Sequence, residues 1–213
     1  MLRRRPMETL MTDSSPAPAG RSFVGRIKGI LVDPRSEWPV IADEPATTAS
    51  IYMYVLPLAA IPAVCHAIGL LGIGGGLPDF GAVRFSPMWA IRSSIRLYVE
   101  SLAAVYIIAL AISSLAPLFG GERNRIQALK VAAYSSTAVF VAGVFAVIPG
   151  LRIAQFARIV GLGFSLYLVY LGLPIVMKTP AKQAESYAVA TVVVLAIVFS
   201  VIIVVANQFS GWL

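Results

Sequence analysis

The sequence predicts an all-α polytopic membrane protein, a bundle of five transmembrane helices with an N-terminal amphipathic helix on the membrane surface. Three observations indicate this fold class. Hydrophobic residues make up 58% of the 213-residue chain and charged residues only 13%, whereas a soluble domain carries about 25% charged residues. Five long stretches contain no charged side chain. The basic residues that produce the net charge of +7 lie outside these stretches.

The chain begins with a polar, basic tail. Residues 1–22 mix Pro, Ser and Arg without periodicity, which is typical of a disordered segment. Apolar residues then recur at helical spacing from Phe23 to Leu31, which predicts an amphipathic helix lying on the membrane. The chain is thereby divided into a disordered tail (1–22), an interfacial segment (23–45) and a transmembrane domain (46–213).

Each of the five charge-free stretches is long enough for one membrane crossing. They contain 19 to 34 residues, and a helix needs roughly 20 apolar residues to cross a hydrocarbon core of about 30 Å. The links after the third and fourth stretches are short, so the helices that they join are antiparallel neighbours. The predicted spans are about 50–73, 94–115, 130–148, 153–177 and 187–206.

Two tryptophans lie close to the predicted first and second spans. Trp38 precedes the first span, and Trp89 lies in the loop from Leu77 to Ile91, rich in Gly and Pro, that comes after it. Indole rings are enriched at the level of the lipid headgroups. We therefore expect both side chains to anchor the protein at the membrane interface.

Small residues recur every four positions on three of the predicted spans. Because lipid tails do not drive helices together, close approach of backbones over small side chains is a main source of helix association. We expect these positions to form contacts within the bundle. They are Ala59, Ala63 and Ala67, then Ala138, Ala142 and Ala146, and finally Gly161 and Ser165.

The distribution of basic residues predicts the orientation of the bundle. Twelve of the 17 basic residues lie before the first span, between spans two and three, or between spans four and five. Five crossings place these three regions on one side of the membrane, and basic residues accumulate on the cytoplasmic side. We expect a multi-pass protein of the bacterial inner membrane, with its N-terminus in the cytoplasm and its C-terminus in the periplasm.

One acidic residue, Glu100, lies at the entrance of the second span. It follows Arg96 by four residues, a spacing at which two charged side chains on a helix can pair. An unpaired charge inside the bilayer costs about 2.5–3.5 kcal/mol on insertion scales. We interpret Arg96 and Glu100 as a structural ion pair, and a role in proton or ion handling is the alternative.

The sequence offers little chemistry for catalysis or cofactor binding. The single cysteine, Cys65, and the single histidine, His66, are adjacent, so on a helix their side chains point about 100° apart. No second His or Cys completes a metal-ligand set. Motifs of serine hydrolases, zinc proteases and nucleotide-binding proteins are absent from the sequence. We expect no catalytic, cofactor or metal site, no nucleic-acid partner and no enzymatic activity.

Three segments of the sequence resemble bacterial members of the Yip1 domain family, and their order and spacing carry the resemblance. They are the amphipathic helix followed by Pro34, Trp38 and Ile41, the stretch from Leu115 through Pro117 to Tyr134 and Ser135, and the stretch from Tyr167 to Pro180. The candidate structural or interaction residues within them are Pro117, Tyr134, Tyr170, Gly172 and Pro174.

The resemblance implies a five-span bundle with its N-terminus in the cytoplasm. Eukaryotic relatives act in traffic between the endoplasmic reticulum and the Golgi, bind Rab-type GTPases and are implicated in membrane shaping. The present sequence lacks their long N-terminal domain and their Asp-Leu-Tyr-Gly-Pro type motif, so GTPase binding is not carried over. The eukaryotic role is an analogy at the level of the fold.

These observations predict a non-enzymatic membrane protein of Yip1 type that organises the membrane or partner proteins. Its expected partners are the lipid bilayer and either a second copy of the chain or another membrane protein. The alternative is a small transporter or channel, because prolines within the spans can free backbone carbonyls and residues 135–137 place three hydroxyls in the third span. Hydroxyls of this kind commonly bond to their own helix.

Overall fold

The computed structural model describes residues 22–73, 75–77, 81–83, 86–148 and 152–209, which are mostly helical. The predicted tail lies outside these residues except for Ser22. The helices are α1 (Phe23–Val32), α2 (Pro34–Asp43), α3 (Thr48–Ile68), α4 (Pro87–Leu115), α5 (Arg125–Ser135), α6 (Thr137–Ala142), α7 (Arg152–Val176) and α8 (Ala181–Phe209). A π-helical turn extends α3 (Gly69–Ile73), and 3-10 turns extend α4 (Ala116–Phe119) and α6 (Gly143–Val147).

Local capping explains where the N-terminal helices begin. Asp33 separates α1 from α2, and its side chain accepts a hydrogen bond from the backbone N–H of Ser36 at 3.4 Å. Pro34 occupies the first position of α2, where its missing N–H has no partner to lose. Thr47 and Ser50 bond reciprocally, side chain to backbone, at 3.1 and 2.9 Å, which is the capping box that starts α3.

Four helical segments are long and apolar enough to cross a membrane within the described part of the chain. They are Thr48–Gly72, Pro87–Phe119, Arg125–Val147 and Ala154–Val176. Each contains or closely matches one of the first four predicted spans. The predicted fifth span, 187–206, lies inside the 29-residue helix α8.

The third span is broken, although a continuous helix was expected. It divides at Ser136 into α5 and α6, and at this position the Ser136 hydroxyl donates to the carbonyl of Ala132 at 2.8 Å. Beyond the break, the N–H of Val139 donates to the Ser165 hydroxyl of α7 at 3.2 Å. A side chain from a neighbouring helix therefore satisfies a backbone group near the break.

Small residues pack between helices at Ala142 and Gly161, as the sequence predicts for contacts within the bundle, whereas Ala67 lines an open space between α3 and α4. A methyl group added at Gly161 would lie 2.6 Å from the Cβ atom of Ala142, and one added at Gly143 would lie 2.6 Å from the Cβ atom of Pro62. Both distances are too short for real side chains, so the backbones approach closely there. Ala59 is fully buried in the same bundle.

Three segments meet at one end of the bundle, which we call the α2 end. Helix α2 packs across α5 and α7, and the N–H of Glu122, in the link between α4 and α5, donates to the carbonyl of Met177 at 3.0 Å. At the opposite end, β1 (Gly75–Leu77) and β2 (Gly81–Val83) form an antiparallel pair between α3 and α4. We call this the hairpin end.

Helix α5 lies at the centre of the bundle. All six residues from Ala128 to Ala133 are buried, and they contribute to two apolar clusters. One cluster joins α5 to α1, α2, α4, α7 and α8, and the other joins it to α3 and α4. Helix α5 is therefore buried on several sides, although Lys130 within this run is charged.

Candidate functional site

A group of buried charges at the α2 end is the most concentrated polar feature of the described structure. Arg26 of α1 donates from Nη1 to Oε1 of Glu37 at 2.6 Å and from Nη2 to the carboxylate of Glu44. Arg26 is 5% exposed and Glu37 is 1% exposed. Together with Lys130 of α5, these residues form what we call the polar hub.

Both carboxylates keep Arg26 charged in spite of its burial. Desolvation alone would lower the pKa of the guanidinium, but the hydrogen bond and charge of Glu44, with the charge of Glu37, outweigh it and raise that pKa. Breaking a buried ion pair by removing one partner costs about 3–5 kcal/mol. The polar hub therefore links α1 to α2 and to the residue that follows α2, and the loss of one partner would leave a buried charge uncompensated.

Lys130 attaches the same segment to the centre of the bundle. Its Nζ atom donates to the carbonyls of Ile41, Ala42 and Glu44 at 2.8, 3.1 and 2.6 Å. These carbonyls end α2, where unpaired backbone acceptors and the helix dipole favour a cation. Gln127 adds a hydrogen bond from Nε2 to the carbonyl of Ala42 at 3.1 Å.

An aromatic chain leads from the polar hub toward the break in the third span. The Arg26 guanidinium lies 5.7 Å from the ring centroid of Tyr134, within the range of a cation–π contact. Tyr134 packs on Tyr54 of α3 with centroids 4.7 Å apart, and the Tyr54 hydroxyl bonds to that of Thr137 at 2.8 Å. Tyr134, a candidate residue from the sequence, is thus in contact with Arg26 of the polar hub and with Tyr54.

Trp38 is not an interface anchor, and this prediction was wrong. Its side chain is fully buried in the apolar cluster around α5 and lies against Gly172 of α7, where an added methyl group would be 2.7 Å from the indole Cζ2 atom. The absence of a side chain at Gly172 makes room for the indole ring. Trp89, the other predicted anchor, is 48% exposed at the start of α4.

Pro117 and Pro174 lie near the two chain links of the α2 end. Pro117 belongs to the 3-10 turn that extends α4, and Phe119 of that turn stacks on Tyr187 of α8 with centroids 5.2 Å apart. Pro174 lies inside α7, and its carbonyl accepts from the N–H of Thr179 at 3.2 Å. Lys178 between them has φ of 52°, a left-handed conformation that ends the helix.

Three other sequence candidates lie outside the polar hub. Arg96 and Glu100 form the predicted ion pair, with Nε and Oε1 2.6 Å apart, but their side chains are 64% and 54% exposed. Such a pair contributes only about 0.3–0.5 kcal/mol. Tyr170 points outward from α7 and is 41% exposed.

Sequence reasoning missed the central members of the polar hub. Arg26 and Lys130 were counted only as charges that orient the protein, and Glu37 and Glu44 were not singled out. The available signal was weak: Lys130 begins an apolar run rather than lying in a loop, and Glu37 and Glu44 lie within the Pro-containing segment before the first span.

The arrangement is suited to holding helices together rather than to binding a metal. Within the described ranges, no group of three His, Cys, Asp or Glu side chains is placed to hold a metal ion. His66 contacts the Ser94 hydroxyl through Nδ1 at 3.1 Å, far along α3 from the polar hub. The charges of the polar hub bond to one another and to the backbone.

Comparison with known proteins agrees with this architecture. Two curated relatives, both named "Inner membrane protein YohC", come from Escherichia coli strain K12 and from Escherichia coli O6:H1 strain CFT073. Each is 25% identical over 190 residues, which cover 89% of this chain and 97% of the relative. No solved structure is detectably similar. The profile of the Yip1 domain matches residues 28–203, and the chain therefore belongs to the Yip1 domain family and is a multi-pass protein of the inner membrane.

Proposed function

We propose that this protein is a non-enzymatic organiser of the inner membrane, which binds partner proteins or a second copy of itself. The observation that carries the proposal is the polar hub, whose buried charges hold α1 and α2 across the ends of α5 and α7. A bundle whose N-terminal helices are bonded to its central helices is suited to presenting a fixed surface to partners.

The proposal includes five crossings, with the N-terminus in the cytoplasm and the C-terminus in the periplasm. Helix α8, of 29 residues, follows the four candidate spans, and the sequence has no charged residue after Glu185. The α2 end then faces the cytoplasm, together with the three basic regions of the sequence. On α1, the exposed Val24 and Val32 would contact the cytoplasmic surface of the membrane while Arg26 and Ile30 face the bundle.

The proposed orientation is tested by reporter fusions to Leu213. Alkaline phosphatase becomes active only in the periplasm and green fluorescent protein fluoresces well in the cytoplasm, so we expect an active phosphatase fusion and a dim fluorescent one. The opposite pair of results would place the C-terminus in the cytoplasm and contradict the five-span arrangement.

The outward face of α7 is the proposed partner surface. Ile159 and Tyr170 are exposed, and Gly163 between them has no atom within 4 Å of an added methyl group. Exposed glycine permits close approach of another membrane helix. Tyr170 is also one of the residues that the family resemblance singles out.

Photocrosslinking in native membranes tests the organising role. A photoreactive amino acid at Tyr170 is expected to give a discrete protein adduct, identified by mass spectrometry as a second copy or another membrane protein. The matched control is the same amino acid at Met53, which is 75% exposed on α3 and outside the proposed surface. Lipid adducts alone at both positions would contradict the proposal, and solute flux from liposomes that Glu100→Gln abolishes would support a transporter instead.

A further inference from the structure

An apolar groove lies between α3 and α4, on the hairpin side of the bundle. Its volume is about 340 Å³, at the lower end of the range for ligand-binding pockets. The α3 wall consists of small side chains that leave the space open, and the α4 wall of larger ones. The lining residues that matter are Ala60, Ala63 and Ala67 on α3, and Ile91, Ile95 and Tyr98 on α4.

The polar groups at the groove are already satisfied within the protein. The Ser94 hydroxyl donates to the carbonyl of Ala90 at 2.8 Å and contacts His66, and the Tyr98 hydroxyl donates to the carbonyl of Leu56 at 3.3 Å. The groove therefore offers a polar solute no hydrogen-bond partner in place of the water that the solute would lose, and burying an unpaired polar group is costly. An aliphatic chain has no such cost.

The position of the groove matches the hydrocarbon of one leaflet. From Ala60 to Ala67 it follows α3 for about 10 Å, on the half of that span farther from the α2 end, and Val64 and Ile95 are more than half exposed at its rim. A membrane-spanning chain has lipid on such a surface.

An exposed cation follows the groove lining by one residue in the sequence of α4. Arg92 is exposed on α4, next to Ile91 of the lining, and the described residues provide it with no carboxylate. Arg96, one turn further along α4, is instead neutralised by Glu100. A free guanidinium matches the geometry of a phosphate group.

We propose that this groove binds one acyl chain of an anionic phospholipid from the leaflet at the hairpin end, with Arg92 contacting the phosphate of its headgroup. The groove supplies apolar contact along the chain, and Arg92 selects for negative charge. This inference depends on the membrane embedding of the chain but not on the organising role, so either can fail without the other.

The test uses the full-length protein in liposomes that contain phosphatidylglycerol with a photoactivatable acyl chain. In the wild-type protein, we expect labelling concentrated on peptides that contain residues 60–67 and 91–98. The double variant Ala60→Leu/Ala67→Leu fills the groove, and its labelling there should fall about tenfold, equivalent to about 1.4 kcal/mol. Ala103→Leu, at an exposed alanine of α4 outside the groove, should leave labelling unchanged.

A second arm tests the headgroup. Arg92→Gln should reduce labelling by photoactivatable phosphatidylglycerol but leave labelling by photoactivatable phosphatidylcholine, in liposomes of that lipid alone, unchanged. Equal loss or equal retention with the two lipids would overturn the role of Arg92.

The wild-type labelling pattern decides the proposal even if the filled variant does not fold. Labels spread evenly over all lipid-facing helices would show bulk lipid only and overturn a binding site. Crosslinks between two protein chains at residues 60–67 would show that a second copy occupies the groove, which also overturns it.

Discussion

Two faces of α3 differ in what covers them. Near the α2 end, Ile51 and Val55 are buried, at 1% and 0% exposure, against helices of the bundle. Near the hairpin end, Val64 and Ile68 are 54% and 53% exposed, and the groove opens toward lipid. Val64 and Ile68 lie on the side of α3 opposite to Ile51 and Val55, the side on which Met53 near the α2 end is also 75% exposed. The same apolar composition thus gives a buried face toward the bundle and an open face away from it.

This contrast separates two uses of charge. At the α2 end, Arg26 and Lys130 are buried and bonded to carboxylates and helix-terminal carbonyls. On the hairpin side, Arg92 and the pair of Arg96 with Glu100 are exposed. The buried charges stabilise the tertiary structure, whereas the exposed charges are available to lipid headgroups or contribute little.

The largest expected effect is that of Arg26→Ala. Removal of the guanidinium that Glu37 and Glu44 share should lower the free energy of unfolding by about 3–5 kcal/mol, measured by denaturation with sodium dodecyl sulfate in mixed micelles. The control is Lys28→Ala on the exposed side of α1, for which a change within about 0.5 kcal/mol is expected. Equal effects of the two variants would mean that the polar hub does not hold α1.

An intermediate effect is expected for Gly172→Ala. The added methyl group would overlap the indole ring of Trp38, and overpacking of this kind costs about 1–3 kcal/mol. Trp38 emission, recorded in a background without the other two tryptophans, should shift to longer wavelength as the ring is displaced. Gly163→Ala is the matched control on the same helix, because nothing lies near the added group, and a stability loss there as large as in Gly172→Ala would remove the steric explanation.

The smallest expected effect is that of Glu100→Gln. The exposed pair with Arg96 should contribute only about 0.3–0.5 kcal/mol, measured by the same denaturation. Glu185→Gln, at another exposed acid, provides the reference for loss of a surface charge. A loss above about 2 kcal/mol in the free energy of unfolding would show that a partner or lipid shields the pair in the assembled protein. It would also change the contrast between the exposed charges of the hairpin side and the buried charges of the α2 end.

The predicted local structure was confirmed where it depends on short-range signals. Charge-free length located the four candidate spans. The Arg96–Glu100 pair followed from their spacing on one helix. Each of these depends on neighbours within a few residues, which a sequence displays directly.

The site itself could not be predicted in this way. Arg26 meets Glu37 across 11 positions of sequence and Lys130 meets the carbonyl of Ile41 across 89. In the sequence, a lone charged residue at the edge of an apolar run looks the same whether its side chain faces lipid headgroups or a buried acid. Trp38 shows the same ambiguity, since an indole ring suits a membrane interface and a packed core equally well.

The sequence by itself determined that this chain enters the membrane as apolar helices. The hydrocarbon core requires helices that are long enough and carry few or no charges, whatever each helix contacts. Only the tertiary structure decided which charges are buried. The packing of α2 against α5 and α7 brings distant groups within hydrogen-bond distance at the α2 end. The small side chains Ala60, Ala63 and Ala67 of α3 leave a groove against α4, because they do not fill the space between the two helices.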